Sequence, residues 1–350
     1  MANINEILIR AVFNEMLRHK ASLSRMVSAE EDEDELPDYR ILADLIIKNF
    51  PWPIGVELRR LFSGSMRQLD RMRLDQIFKT IERSMQFLSF VLLSQLVKSK
   101  EEGKISIPVA FSNEFKNRFL ILSLGNFAWI IRSVGRIFQD QKAQWFLPEM
   151  AEYFNDKFYT ALDFWVPERN EIGHYQINLT QEEIEKRCVE YEERLTFILQ
   201  SISFLVKYRL VSIKEIKVIK SKIREASFHH IFDLLNSSDS DFKANELLES
   251  TFSESNSVLL MKNIKSLDEY LNLSPLIIDT SNEVLDTKEK FEIKKDIFMY
   301  SKFRNEQLMY LGTEVTEKVD LRSLKNYDTL LMEFKQLLIT LSAEAEIQQP

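Results

Sequence analysis

The chain is poor in glycine, with 7 in 350 residues. Glycine supplies the positive backbone angles of tight turns and the close backbone approach that nucleotide-binding loops require. Its scarcity disfavours a many-stranded barrel or a Gly-rich phosphate loop, and favours long helices joined by ordinary loops. Hydrophobic residues make up 45% of the chain, with 25 Phe among them, so apolar material for a packed core is ample. The length exceeds that of one typical domain and predicts two.

Helical periodicity dominates the first two-thirds. A helix is expected from about Asn5 to Met26, followed by an acidic run from Ala29 to Asp38 that reads as a solvated loop. Pro51 and Pro53 are expected to break structure again. From about Ser65 to Lys98, the residues Leu74, Ile77, Ile81, Met85, Leu88, Leu92 and Leu96 recur at three and four positions and share one helix face. Further helices are expected over about Asn113 to Gln139 and Pro148 to Phe164. Thr180 and Glu183 have the spacing of a capping box, which opens a helix expected to reach Leu210. Within it, Ile184, Cys188, Tyr191, Leu195, Ile198, Ile202 and Leu205 form an apolar stripe in four-three alternation. Such a stripe is a packing seam, against a neighbouring helix or against a second copy of the chain.

After Leu210 the helical period fades. Short β-type stretches are expected at Ile213 to Ile223, Phe228 to Leu235, Val258 to Lys262, Tyr270 to Thr280, Ile297 to Tyr300 and Leu308 to Leu311, with a last helix from Tyr327 to Leu341. The fold class expected is therefore α+β. Three segments are expected: a helical extension with an acidic loop over 1–64, a helical bundle over 65–210, and a smaller β-rich C-terminal domain over 211–350.

Several chemistries are disfavoured. One cysteine, Cys188, permits no intramolecular disulfide and no multi-cysteine zinc site, and its place in a helical stripe suits a buried small hydrophobe. With four His, no metal cluster is evident, and no cofactor motif stands out. His229 and His230 are neighbours in an expected strand and would point to opposite faces. The first residues lack the basic-then-apolar pattern of a signal peptide, and charge interrupts every apolar stretch well before a membrane span. A cytoplasmic protein without membrane contact is the expectation.

The net charge of −8 argues against bulk electrostatic capture of nucleic acid, but local basic runs remain. One holds Arg59, Arg60, Arg67, Arg71 and Arg73. The other includes Lys214, Lys217, Lys220, Lys222 and Arg224, which are the candidate RNA contacts. A solvated face is the common alternative for such a run.

The residues Pro167-Glu-Arg-Asn-Glu-Ile-Gly-His174 carry the chemistry. Histidine exchanges a proton near neutral pH, and arginine offers a permanent forked cation to a phosphoryl group. Arg169, Asn170 and His174 resemble the signature of the HEPN superfamily, in which an Arg, often followed by Asn, precedes a His by four to six residues. The resemblance covers roughly residues 65 to 210. It implies a helical up-and-down bundle in which the motif opens a helix. Pro167 departs from the family, many of whose members have a continuing helix there, and suits the first turn of a fresh helix. It also implies a metal-independent, dimeric ribonuclease of the kind found in bacterial antiphage defence and toxin–antitoxin systems. Such an enzyme needs restraint, so an antitoxin or other regulatory partner is expected.

In that reading, the ribose 2′-hydroxyl attacks its own phosphate to leave a cyclic phosphate, and DNA is spared. His174 moves the proton, Arg169 stabilises phosphoryl charge, Asn170 orients one of them or touches substrate, and Glu82 reaches inward to orient Arg169. Spacing alone is weak, since Arg224 and His229 repeat it. The alternative is a HEPN-fold binding or scaffold subunit without catalysis.

Overall fold

The computed structural model describes residues 4–28, 37–174, 179–235, 244–280, 296–314, 321–324 and 326–342. Helices occupy the N-terminal part: α1 (Glu6–His19), α2 (Leu23–Ser28), α3 (Tyr39–Asn49), α4 (Trp52–Leu61), α5 (Arg71–Glu101), α6 (Val109–Phe119), α7 (Leu124–Asp140), α8 (Met150–Tyr153), α9 (Asp156–His174) and α10 (Gln181–Ser201). The strands follow: β1 (Arg209–Ile219), β2 (Ser227–Leu234), β3 (Ala244–Glu249), β4 (Val258–Met261), β5 (Tyr270–Asn272), β6 (Ile277–Asp279), β7 (Ile297–Arg304) and β8 (Gln307–Gly312). The last described element is α11 (Tyr327–Leu341). Helix and sheet are thus mixed in one chain, helices first and strands after, as an α+β class requires.

Two compact units form. One comprises Met1–Phe87, Glu149–Leu210 and Leu235–Phe242; the other comprises Leu88–Pro148, Val211–Leu234 and Lys243–Pro350.

The first unit is helical. α1 buries Leu8, Ile9, Val12, Phe13 and Met16, the i, i+4, i+8 set that one helix face collects. The carboxylate of Asp38 accepts the N–H of Arg40 at 2.9 Å and starts α3. The helical run breaks at Pro51 as its sequence suggests, with Phe50 extended before it. Only Phe50 and Pro51 separate α3 from α4, and Pro53 falls in the first turn of α4, where a missing N–H leaves no helix bond unmade. The acidic run from Ala29 lies almost wholly outside the described residues.

α10 opens with the expected capping box. Thr180 N–H donates to Glu183 Oε2 at 2.7 Å, and Glu183 N–H donates to Thr180 Oγ1 at 3.3 Å. Its stripe is internal to the chain: Cys188, Tyr191, Leu195 and Ile198 are buried, and α10 packs on α1 and α9. Of the two partners open to that seam, the structure shows neighbouring helices.

The second unit joins sheet and helix. Its five-stranded sheet has the order β3-β2-β1-β4-β5, and its three-stranded sheet the order β6-β7-β8. Val211, Ile213, Phe232, Leu259, Met261 and Leu267 form a core cluster of the larger sheet. The helix expected over Asn113 to Gln139 is two, α6 and α7. Between them Ile121 bridges Lys302, Phe303 N–H donates to Leu120 O at 2.8 Å, and Leu122 N–H donates to Ser301 O at 3.1 Å. Residues 120–122 thus lie along β7 as a short strand-like crossing. The stretch Tyr270 to Thr280 also divides, β5 joining one sheet and β6 the other.

Candidate active site at the end of α9

α9 starts at Asn155, whose Oδ1 accepts the N–H groups of Lys157 at 3.1 Å and Phe158 at 3.2 Å. Phe158, Leu162 and Trp165 recur at four and three positions and are buried, which fixes the rotation of the helix. Trp165 meets Phe78 of α5 edge-on at 5.6 Å and Tyr191 of α10 at 5.5 Å. Phe78 and Tyr191 close the triangle at 5.5 Å, and Phe164 adds a further edge-on contact to Tyr191 at 5.6 Å. Four aromatic rings therefore seat the helix one turn before the motif.

Pro167 lies inside α9, and the helix runs unbroken through it to His174. The motif therefore closes a long helix rather than opening a new one, which departs from the placement that the resemblance implies. Five residues of α-helix advance the chain by roughly 7.5 Å and turn it by about 140°, so the Cα positions of Arg169 and His174 fall on different sides of α9. The side chains of Asn170 and His174 lie outside the described residues.

The carboxylates around Arg169 are engaged by α10. Arg187 Nη2 donates to Glu171 Oε1 at 2.7 Å, and Arg187 Nη1 lies 3.8 Å from Glu168 Oε2. Glu168 also accepts a hydrogen bond from the Tyr191 hydroxyl. Glu171 raises the Arg187 pKa above its ordinary value. Burial, followed by the bond to Glu168, raises that of Tyr191. Arg169 itself is exposed and makes no hydrogen bond or ion pair with another described residue. Glu82 is half-buried on α5 and makes no hydrogen bond or ion pair with Arg169.

The clasp of Glu168 and Glu171 by Arg187 and Tyr191 was not evident from the apolar seam. Its signal was present in the spacing: two acids three apart on one helix, and an Arg and Tyr four apart on the next.

The basic run of the second unit divides. Lys214 is mostly buried, with Nζ 2.6 Å from Asp279 Oδ2 and 3.3 Å from Asp233 Oδ2. Its charge is neutralised within the protein. Lys217 reaches Glu215 at 3.1 Å, while Lys220, Lys222 and Arg224 are exposed and form no ion pair with a described residue. His229 pairs with Glu246 at 3.2 Å, and His230 is buried, so the two neighbours have separate surroundings.

A second polar cluster, which the sequence did not suggest, lies in the first unit. His19 Nε2 and the Tyr153 hydroxyl are 3.1 Å apart, and that hydroxyl donates to Glu15 Oε1 at 3.0 Å. Burial lowers the His19 pKa against the opposing pull of Glu15 and Glu149, and burial with the Glu15 bond pushes Tyr153 up to about 12. Phe204 packs edge-on against His19 at 6.3 Å, which suits an internal brace.

Cys188 is buried, its thiol donating to Asp70 O at 3.4 Å and pushed up to about 11 by burial. It is a poor nucleophile there. Among the described residues no cluster of three or more His, Cys, Asp or Glu stands in position to hold a metal ion. Comparison with known proteins finds no family model, no curated protein and no solved structure that matches this chain.

Proposed function

We propose that the chain is a metal-independent endoribonuclease with a HEPN-like helical bundle, and that Arg169 and His174 carry its chemistry. One observation supports this reading above others. The acids that flank Arg169 in sequence, Glu168 and Glu171, are held by Arg187, while Arg169 stays exposed and unpaired among the described residues. Residues one and two apart on a helix do not face each other, so this arginine is turned away from both acids and toward solvent. There it is open to an external anion, and a guanidinium fork fits a phosphate.

The reaction follows from the groups. The 2′-hydroxyl attacks the adjacent phosphorus, its proton passes to an imidazole, and the 5′-oxygen leaves with a proton from an imidazolium. A 2′,3′-cyclic phosphate and a 5′-hydroxyl remain. Arg169 meets the charge that builds on the phosphoryl oxygens. Two imidazoles in opposite protonation states serve this best, so a dimer that brings His174 of each copy to one phosphate is part of the proposal. The buried α10 seam is already used, so the pairing falls to another face. A toxin or effector role in antiphage defence, with a regulatory partner, completes the reading.

The test is cleavage of cellular RNA in EDTA by the wild type, Arg169→Ala and His174→Ala. Cleavage by wild type alone, with cyclic phosphate ends, is expected. The rotation between Arg169 and His174 along α9 favours one second reading, a scaffold subunit that binds without cutting. Growth arrest on expression that persists in His174→Ala would select it.

A further inference from the structure

The end of the β1–β2 hairpin combines exposed aliphatic and basic side chains. Ile219 pairs with Ser227 as the last rung, and residues 220–226 form the connection. Ile223 in that connection is 95% exposed, with Val218 at 64% and Ile219 at 50%. Phe252 is 67% exposed and lies 4.9 Å from the ring of Phe228 on the neighbouring strand. Lys220, Lys222 and Arg224 surround Ile223 in sequence, and none forms an ion pair with a described residue.

Scattered exposed aliphatics are ordinary, but three within six residues at one hairpin end, on both faces of the ladder, hold a hydration penalty that a partner relieves. The partner must accept both chemistries. Single-stranded RNA would satisfy the cations, yet bases stack on aromatic faces, and three of the four apolar groups here are branched aliphatics. An acidic lipid surface satisfies both: branched side chains enter the acyl boundary while lysine stems extend their ammonium groups to the headgroup phosphates. The positive turn on a chain of net charge −8 also orients it toward such a surface.

We propose that the β1–β2 hairpin end docks on an anionic lipid bilayer, with Ile223, Ile219 and Val218 at the acyl boundary and Lys220, Lys222 and Arg224 against phosphate headgroups. The contact is peripheral, since no helix of the described residues is long and apolar enough to cross a membrane. It stands independently of the ribonuclease reading, because it invokes neither Arg169 nor His174.

The experiment is sedimentation of the full chain with vesicles of phosphatidylcholine alone or mixed with phosphatidylserine. The variants are Ile223→Glu and Lys220→Glu with Lys222→Glu, all at exposed positions. Binding to the phosphatidylserine vesicles is expected, with an affinity reduced at least about tenfold in each variant and by added salt. Unchanged circular dichroism and melting confirm that the variants fold. Failure to sediment with acidic vesicles overturns the proposal. Retention of vesicle binding by Ile223→Glu also overturns it, because charge alone would then suffice. If vesicles are ignored but the lysine variant loses affinity for a single-stranded RNA oligonucleotide, the hairpin is an RNA contact and the lipid assignment falls.

Discussion

Arg73, in the first turn of α5, is wholly buried and donates from Nη2 to the carboxylate of Glu192 on α10. The same guanidinium donates to Asn5 Oδ1 at 2.7 Å and to Met66 O at 2.8 Å, while its Nε meets no acceptor among the described residues. Among the described residues, Glu192 is the one carboxylate in an ion pair with this buried guanidinium. Removing one partner of such a pair costs about 3–5 kcal/mol, while replacing both with apolar groups of similar size is often near neutral. Glu192→Ala is expected to lower stability by about that amount in urea unfolding. The double variant Arg73→Met with Glu192→Leu should recover most of the loss. A double variant as unstable as the single would show that the other Arg73 bonds, not its charge, are what α5 requires.

Lys20 ends α1 with its ammonium 2.7 Å from Asn49 Oδ1. Burial, followed by the nearby positive charge of Arg209, lowers its pKa from 10.5 to about 8. A lowered value means that the unfolded chain binds this proton more tightly than the folded one. Between about pH 8 and the ordinary lysine value, the folded state therefore gains stability from this group as pH rises. Competitive acylation read by mass spectrometry should give Lys20 a midpoint near 8. Arg209→Gln should move that midpoint upward by less than the whole shift, since burial is the larger cause. A midpoint at the ordinary lysine value in the wild type would refute the assignment.

His230 is a buried base whose protonation is opposed by geometry. Ser253 N–H donates to its Nε2 at 3.2 Å, and its Nδ1 lies 3.2 Å from Phe228 O, which sets the proton on Nδ1. A second proton would occupy the nitrogen that Ser253 needs as an acceptor. Burial also lowers the pKa below the ordinary 6.5. On acidification the unfolded chain takes the proton first, so the stability from this group is present above 6.5 and declines as pH falls below it. His19, lowered by burial as well, acts in the same direction. Urea unfolding between roughly pH 7.5 and pH 5.5 should show falling stability in the wild type and a shallower fall in His230→Asn. Equal slopes in the two proteins would remove His230 from the account.

What the sequence conveyed depended on whether the cause was local. The helix from Tyr327 to Leu341 and the capping box at Thr180 were legible because the period and the cap chemistry lie within a few residues. The break between α6 and α7 was not, because Ile121 meets Lys302 far along the chain and sheet pairing overrides helix propensity there. β3 escaped for a related reason. Its Ala-Asn-Glu-Leu-Leu-Glu sequence lacks strand alternation and becomes a strand by pairing with β2. The break between α3 and α4 was legible because Pro51 bars the preceding residue from the helix, while Pro53 fits the first turn of the next one. At the candidate site, Arg169 stood out by its spacing from His174. Its exposure is a result of how α9 is rotated by its buried aromatic face, which residue spacing alone does not rank.

Pro167 offers the sharpest test of whether the end of α9 is shaped for chemistry. A proline within a helix cannot donate to the carbonyl four residues back, here that of Asp163, and its ring crowds that carbonyl. Pro167→Ala should therefore raise stability by roughly 1–3 kcal/mol in urea unfolding. If the proline sets the direction of the last helical turns, which carry Arg169 and His174, the stabilised variant should cut RNA at least about tenfold more slowly, the familiar exchange of activity for stability. A Pro167→Ala protein that is both more stable and fully active would mean that the helix merely tolerates its proline. The geometry of Arg169 would then owe nothing to it.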